Sequence, residues 1–86
     1  MTLKIERTLG KGSTTIRLKG RIQTEHLSEL RTLLDAVRSS IVLDLAEVSL
    51  VNLEVVRFLS TCESQGVRLL NCRAYIRKWI ERERQD

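Results

Sequence analysis

The stretch from Ile41 to Phe58 restricts what this chain can fold into more than any other. It opens with Ile41-Val42-Leu43-Asp44-Leu45, a short apolar run with one acid and β-branched residues at its start. Such a run suits a strand covered on both faces of a sheet. After Asn52 the spacing changes. Leu53, Val56, Leu59 and Cys62 recur every third residue, so one stripe of a helix turns toward that sheet. Asn52 is placed to cap this helix, because its side-chain oxygen can accept an N–H that the first turn leaves unpaired. Between strand and helix, Ala46 to Val51 reads as a crossing loop pinned to the core by Val48, Leu50 and Val51.

The flanking segments extend this unit in both directions. Leu3 to Thr8 is a first strand, and Leu9-Gly10-Lys11-Gly12-Ser13 a turn rich in permissive glycine. Thr14 to Lys19 alternates, with Thr14, Ile16 and Leu18 on one face and Thr15, Arg17 and Lys19 on the other. Thr24 is placed to cap a helix whose Leu27, Leu30, Leu33, Leu34 and Val37 form one stripe, and Ser39 and Ser40 close it. Gly66 is placed to end the second helix in the left-handed conformation that glycine tolerates. Val67 to Leu70 is a fourth strand, and Tyr75, Ile76, Trp79 and Ile80 give a last helix pairs of apolar residues four apart.

The order is strand, strand, helix, strand, helix, strand, helix. Right-handed crossovers then predict an α/β fold, a four-stranded mixed sheet that is mainly parallel with an antiparallel hairpin strand at its side. Helices are expected mainly on one face. With 86 residues there is room for a single domain, spanning 1–86.

Charge and composition exclude several functions. The formal charge is +4, but residues 1–40 carry eight Lys or Arg against four acids, 41–72 two against four, and 73–86 five against three. Interleaving of this kind is a solvated surface rather than a nucleic-acid groove. One Trp, one Tyr and one Phe do not make a stacking platform for single strands. Nucleic-acid binding through the arginines of the last helix is the weakest reading. Cys62 and Cys72 are too few for a metal motif and read as core fillers, and no cofactor motif is present: Gly10-Lys11-Gly12-Ser13 lacks the spacing of a phosphate loop. No apolar run approaches bilayer length and the N-terminus lacks a signal-peptide core, so the expectation is a cytoplasmic protein without membrane insertion. His26 has no second His or Cys in reach by spacing and reads as exposed. Asp44 and Glu47 do not form facing carboxylates, and neither cysteine has a histidine nearby to activate it, so no enzyme is expected.

The Gly20-Arg21-Ile22 entry, the Val42-Leu43-Asp44-Leu45 strand and the Gly66-Val67-Arg68-Leu69-Leu70-Asn71 return fall in one order. Together they resemble the STAS domains of anti-sigma factor antagonists and sulfate transporter tails, over about Thr14 to Ile80. The family pattern after the central strand reads roughly Asp-Leu-Ser-Gly-Val-Thr, two apolar residues, then Asp-Ser-Ser-Gly-Leu. The resemblance implies a bacterial regulatory module with a protein partner such as an anti-sigma factor or related kinase. It also implies a serine at the start of the second helix that the partner phosphorylates. Here the family Asp falls on Asn52, the acceptor Ser on Leu53, the next Ser on Glu54 and the Gly on Val55. Leucine accepts no phosphate, so a switch of the usual kind is not expected.

The candidate partner-binding residues are Asn52, Leu53, Glu54 and Arg57, around one helix start. Leu53 is open to two readings, an exposed anchor or a residue facing inward. Glu54 is either a fixed charge at an interface or an acid favoured by the helix dipole. Ser49, three residues before Asn52, is a displaced phosphorylation candidate against the commoner role of a serine in a turn. Tyr75 and Trp79 either cover the sheet or pair two copies, and with an open sheet edge they carry an alternative function, a self-associating subunit or homodimer.

Overall fold

The computed structural model describes residues 3–37 and 40–84. The elements are β1 (Lys4–Leu9), β2 (Ser13–Arg21), a 3-10 turn (Thr24–His26), α1 (Leu27–Ala36), β3 (Ser40–Leu50), α2 (Leu53–Ser64), β4 (Arg68–Leu70) and α3 (Ala74–Arg84). The strands form one sheet in the order β1-β2-β3-β4. β1 runs antiparallel to β2, while β2 with β3 and β3 with β4 are parallel. This is the mixed sheet that the alternation of elements predicts.

β2 buries Thr14, Ile16 and Leu18, the face its alternation marks. Ile16 stands beside Leu43 of β3, and Leu43 beside Leu69 of β4. Leu27 and Leu30 of α1, Val56 and Leu59 of α2, and Ile76 and Ile80 of α3 join these strand residues in one cluster. The other sheet face is polar. There Lys19 contacts Glu6 and Glu47, and Arg17 contacts Asp44, so water rather than a helix layer covers that side.

β3 departs most from the sequence reading. Ala46 to Val51 is not a crossing loop: the strand continues to Leu50. Two irregularities against β2 explain the misreading, since Arg17 and Lys19 face Asp44 and Glu47, and Gly20 and Arg21 face Val48 and Leu50. Each places an extra residue in β3, which breaks the strict alternation and carries Val48 rather than Glu47 to the core. Val48 is fully buried and Val51 packs against the core, but Leu50 does not pin anything; it is 49% exposed.

Three smaller corrections concern helix ends. Thr24 is the first residue of the 3-10 turn and not its cap; Gln23 precedes it, its N–H donating to His26 Nδ1 at 3.0 Å and its carbonyl accepting the His26 N–H at 2.9 Å. His26 is accordingly half-buried in a local cap rather than exposed. Ser40 begins β3 instead of closing α1, which ends at Ala36, and Ser39 lies outside the described residues. Val67 sits in the turn before β4, for the reason that ends α2. Gly66 takes φ 98°, its N–H donates to the Glu63 carbonyl at 3.1 Å, and the Val67 N–H donates to the Cys62 carbonyl at 3.0 Å. Two carbonyls of the last turn are satisfied, and Val67 folds back onto the core.

Candidate functional site

The C-terminal ends of β3 and β4 and the first turns of α2 and α3 share one end of the sheet, as parallel crossovers require. Asn52 organises this end. Its Oδ1 accepts the Val55 N–H at 3.0 Å, the cap the sequence predicts, and its Nδ2 donates to Thr24 Oγ1 at 3.0 Å. Both ends of the amide are thus committed, and Asn52 ties the start of α2 to the turn before α1. A long-range bond of this kind has no signature in the spacing.

Leu53 follows as the first residue of α2. It faces outward and is 37% exposed, while the buried stripe of the helix is Val55, Val56, Phe58, Leu59 and Cys62. Inclusion of Leu53 in the inward stripe therefore does not hold; the stripe starts two residues later. Leu50, at 49% exposure, and Tyr75, at 45%, lie at the same end, with the Tyr75 hydroxyl donating to the Ser49 carbonyl at 3.1 Å. A shallow opening of about 330 Å³ is lined by Leu50 with Arg21, Ile22, Gln23, Val51 and Asn52. In the sequence Leu50 reads as core, and Tyr75 as sheet cover or a contact between two copies, so neither is marked as belonging with the start of α2.

Glu54 and Arg57 point elsewhere. Both line a second groove of about 300 Å³ between α1 and α2, where Arg31 lies 5.5 Å from the centre of the Phe58 ring. Arg57 Nε also donates to Glu83 of α3 at 3.2 Å. The four candidate residues thus divide between two neighbouring surfaces. Ser49 is exposed within β3 rather than in a loop, and its carbonyl is the part in use.

Arg73 completes the frame. Its guanidinium donates to the carbonyls of Val48 at 2.9 Å and Ala46 at 3.4 Å, along the part of β3 that runs past the short β4. A side chain there takes the place of a missing strand. Tyr75 serves the same edge and Trp79 packs against the core, so the sheet-covering reading holds for Trp79, while Tyr75 is half in use and half exposed.

The titrating groups near this end are structural. Asp44 is only 4% exposed; Oδ1 accepts from the Ala46 N–H at 3.0 Å and from Asn71 Nδ2 at 3.2 Å, and Oδ2 from Arg17 Nε at 3.3 Å. The Ala46 N–H above all, with Asn71 and Arg17, holds its carboxyl below the usual range despite burial. Burial pushes the Cys62 thiol up to about 11, away from the thiolate that nucleophilic chemistry needs. Among the described residues no group of three or more His, Cys, Asp or Glu is placed to hold a metal ion. Among them, too, no helix is long and apolar enough to cross a membrane.

Comparison with solved structures decides the architecture. The anti-sigma factor antagonist SpoIIAA, in its unphosphorylated form, matches over 93% of this chain and 82% of its own, with a TM-score of 0.59 and 20% identity. The chain has the STAS fold. No family model matches it, and no curated protein matches it in sequence. The likeness to the STAS fold thus lies in the arrangement of strands and helices, which the scaffold motifs at Gly20-Arg21 and Leu43-Asp44-Leu45 anticipate.

Proposed function

We propose that this chain is a non-catalytic protein-interaction module that binds a protein partner, of the anti-sigma factor or related kinase type, through the surface around the start of α2. The observation that carries this reading is Leu53, an exposed leucine at the first position of α2 in a STAS fold. Leu50 and Tyr75 are exposed at the same end of the sheet, and Leu50 lines an opening with Arg21 and Asn52, which supplies the apolar and polar groups a small interface needs. Glu54 and Arg57 extend the surface onto the outer side of α2. Leucine at this place gives a partner kinase nothing to phosphorylate, so the module works constitutively, in a bacterial cytoplasmic setting. The role of Asp44 as a fastener and the raised Cys62 thiol support a non-catalytic assignment.

The nucleic-acid alternative loses support from the geometry of the basic last helix. Arg77 is bidentate on Glu63 at 2.8 and 3.0 Å, Arg84 shares Glu63 and Ser60, and Arg73 is spent on β3 carbonyls. These cations are turned inward to partners of the same chain.

The test uses the immobilised chain and a Leu50→Glu/Leu53→Glu variant, which adds charge to the patch without touching the Asn52 cap. In bacterial lysate the wild type is expected to retain an anti-sigma factor or a related kinase, and the variant to lose it at least tenfold. A Lys11→Glu control, in the exposed turn between β1 and β2 at the opposite end of the sheet, should bind as wild type. Equal retention by wild type and the patch variant would end this reading.

A further inference from the structure

The two edges of the sheet are finished differently. Beyond β4, the exposed carbonyls of β3 are occupied by Arg73 and Tyr75. At the other side β1 is the edge strand, and among the described residues no element lies along its outer side. Which of its backbone groups face outward follows from the hairpin. The Gly10 N–H donates to the Ser13 carbonyl at 2.8 Å, so Gly10 and Ser13 form a hydrogen-bonded pair. Bonded pairs alternate along an antiparallel ladder, so Thr8, Glu6 and Lys4 turn their amides and carbonyls to β2. Ile5, Arg7 and Leu9 turn theirs outward.

We infer that β1 pairs with β1 of a second copy across a two-fold axis, joining two four-stranded sheets into one. A two-fold perpendicular to the sheet keeps each side chain on its own face, so only residues of the same parity stand opposite one another. Centring on Glu6 sets two acids face to face, and centring on Arg7 or Lys4 sets two cations face to face; like charges directly opposite are destabilising. Centring on Thr8 or Leu9 engages only the end of the strand next to the turn, and centring on Leu3 only its opposite end. Centring on Ile5 is the register that remains. It places Lys4 opposite Glu6 of the other copy, and Glu6 opposite its Lys4, on the polar sheet face. On the core face it joins the two Ile5 side chains and sets Leu3 against Arg7 of the other copy. Ile5 and Leu3 are partly buried hydrophobics already packed on the core cluster, so their meeting would extend that cluster across the axis. The outward amides of Ile5 and Arg7 are the donors this register uses. Charges along an edge discourage indiscriminate pairing, and here they select the self-complementary register.

The inference is independent of the proposed partner surface, which lies at the end of the sheet. Sedimentation of the full chain from low to several hundred micromolar tests it, with four variants checked for fold by circular dichroism. The wild type is expected to shift from monomer to dimer with concentration. Lys4→Glu and Glu6→Lys should each weaken the dimer about tenfold, and the Lys4→Glu/Glu6→Lys exchange should recover it. Arg7→Pro removes an outward amide that β2 does not use, and should leave a folded monomer. A wild type that stays monomeric throughout, higher oligomers in place of a dimer, single charge reversals that dimerise like wild type, or an Arg7→Pro dimer would each overturn it. Should any charge variant fail to fold, the comparison of wild type with Arg7→Pro still decides.

Discussion

Asp44 shows how much a single residue can hide. In the sequence it is one acid in an apolar strand, its Leu-Asp-Leu setting pointing to a scaffold position and nothing more. In the structure it fastens three segments, receiving the Ala46 N–H at the first irregularity of β3, Arg17 from β2 and Asn71 from the turn after β4. None of these partners lies at a spacing that a periodicity argument detects. Asn52 is the opposite case, since its capping bond is local and legible, whereas its bond to Thr24 is not. Removing the carboxylate leaves the Ala46 N–H and the Asn71 amide without this partner, so Asp44→Ala is expected to cost about 1–3 kcal/mol in urea unfolding at neutral pH. A pH dependence follows with definite sign. The folded-state pKa of Asp44 lies below its ordinary 3.8 and that of Glu63, held chiefly by Arg77, below its ordinary 4.5. Each contributes stability that is present above the ordinary value and is lost as pH falls through the folded value. Stability measured from pH 6 down to pH 2 should therefore decline below about pH 4.5, and Asp44→Ala should flatten the lower part of that decline. A stability curve indifferent to acid, or unchanged in slope by the substitution, would contradict this assignment.

At the scale of elements, legibility follows locality. The alternation of β2, the central residues of the apolar stripes and the glycine stop of α2 are written in spacings of two to four residues and appear where the spacing places them, while the stripe ends at Leu53, Val37 and Tyr75 do not. The second half of β3 is not legible in this way. Its alternation is broken by two extra residues, and its outer carbonyls are satisfied by side chains that come 25 to 27 residues later. An irregular strand read without its neighbours looks like a loop. The end of α2 allows a quantitative check. Gly66 holds φ 98° with nothing within 4 Å of where a Cβ would stand, so alanine there meets strain and no clash. Gly66→Ala is expected to lower stability by about 1 kcal/mol, the cost of a left-handed alanine, with the midpoint of denaturation moved and the slope unchanged. A loss above about 3 kcal/mol, or none, would mean that the turn is held by something other than this conformation.

The whole molecule is a small sheet with three helices on one face, and its stability of roughly 4–13 kcal/mol leaves little to spare beyond the fasteners described above. Its topology was legible because alternating elements admit few right-handed arrangements. The proposed partner surface was legible only in part: the start of α2 is where the family resemblance directs attention, whereas the exposure of Leu50 and Tyr75 at the same end follows from the β3 irregularity and the placement of α3. The proposed function turns on whether this surface is always available to a partner. That claim is met most directly by one measurement, capture of a partner from lysate with and without ATP, followed by intact-mass analysis of the recovered chain. ATP is expected to change neither the amount of partner retained nor the mass of the chain. A chain that gains one phosphate and releases its partner would contradict it, and would move the switch to Ser49 or another hydroxyl.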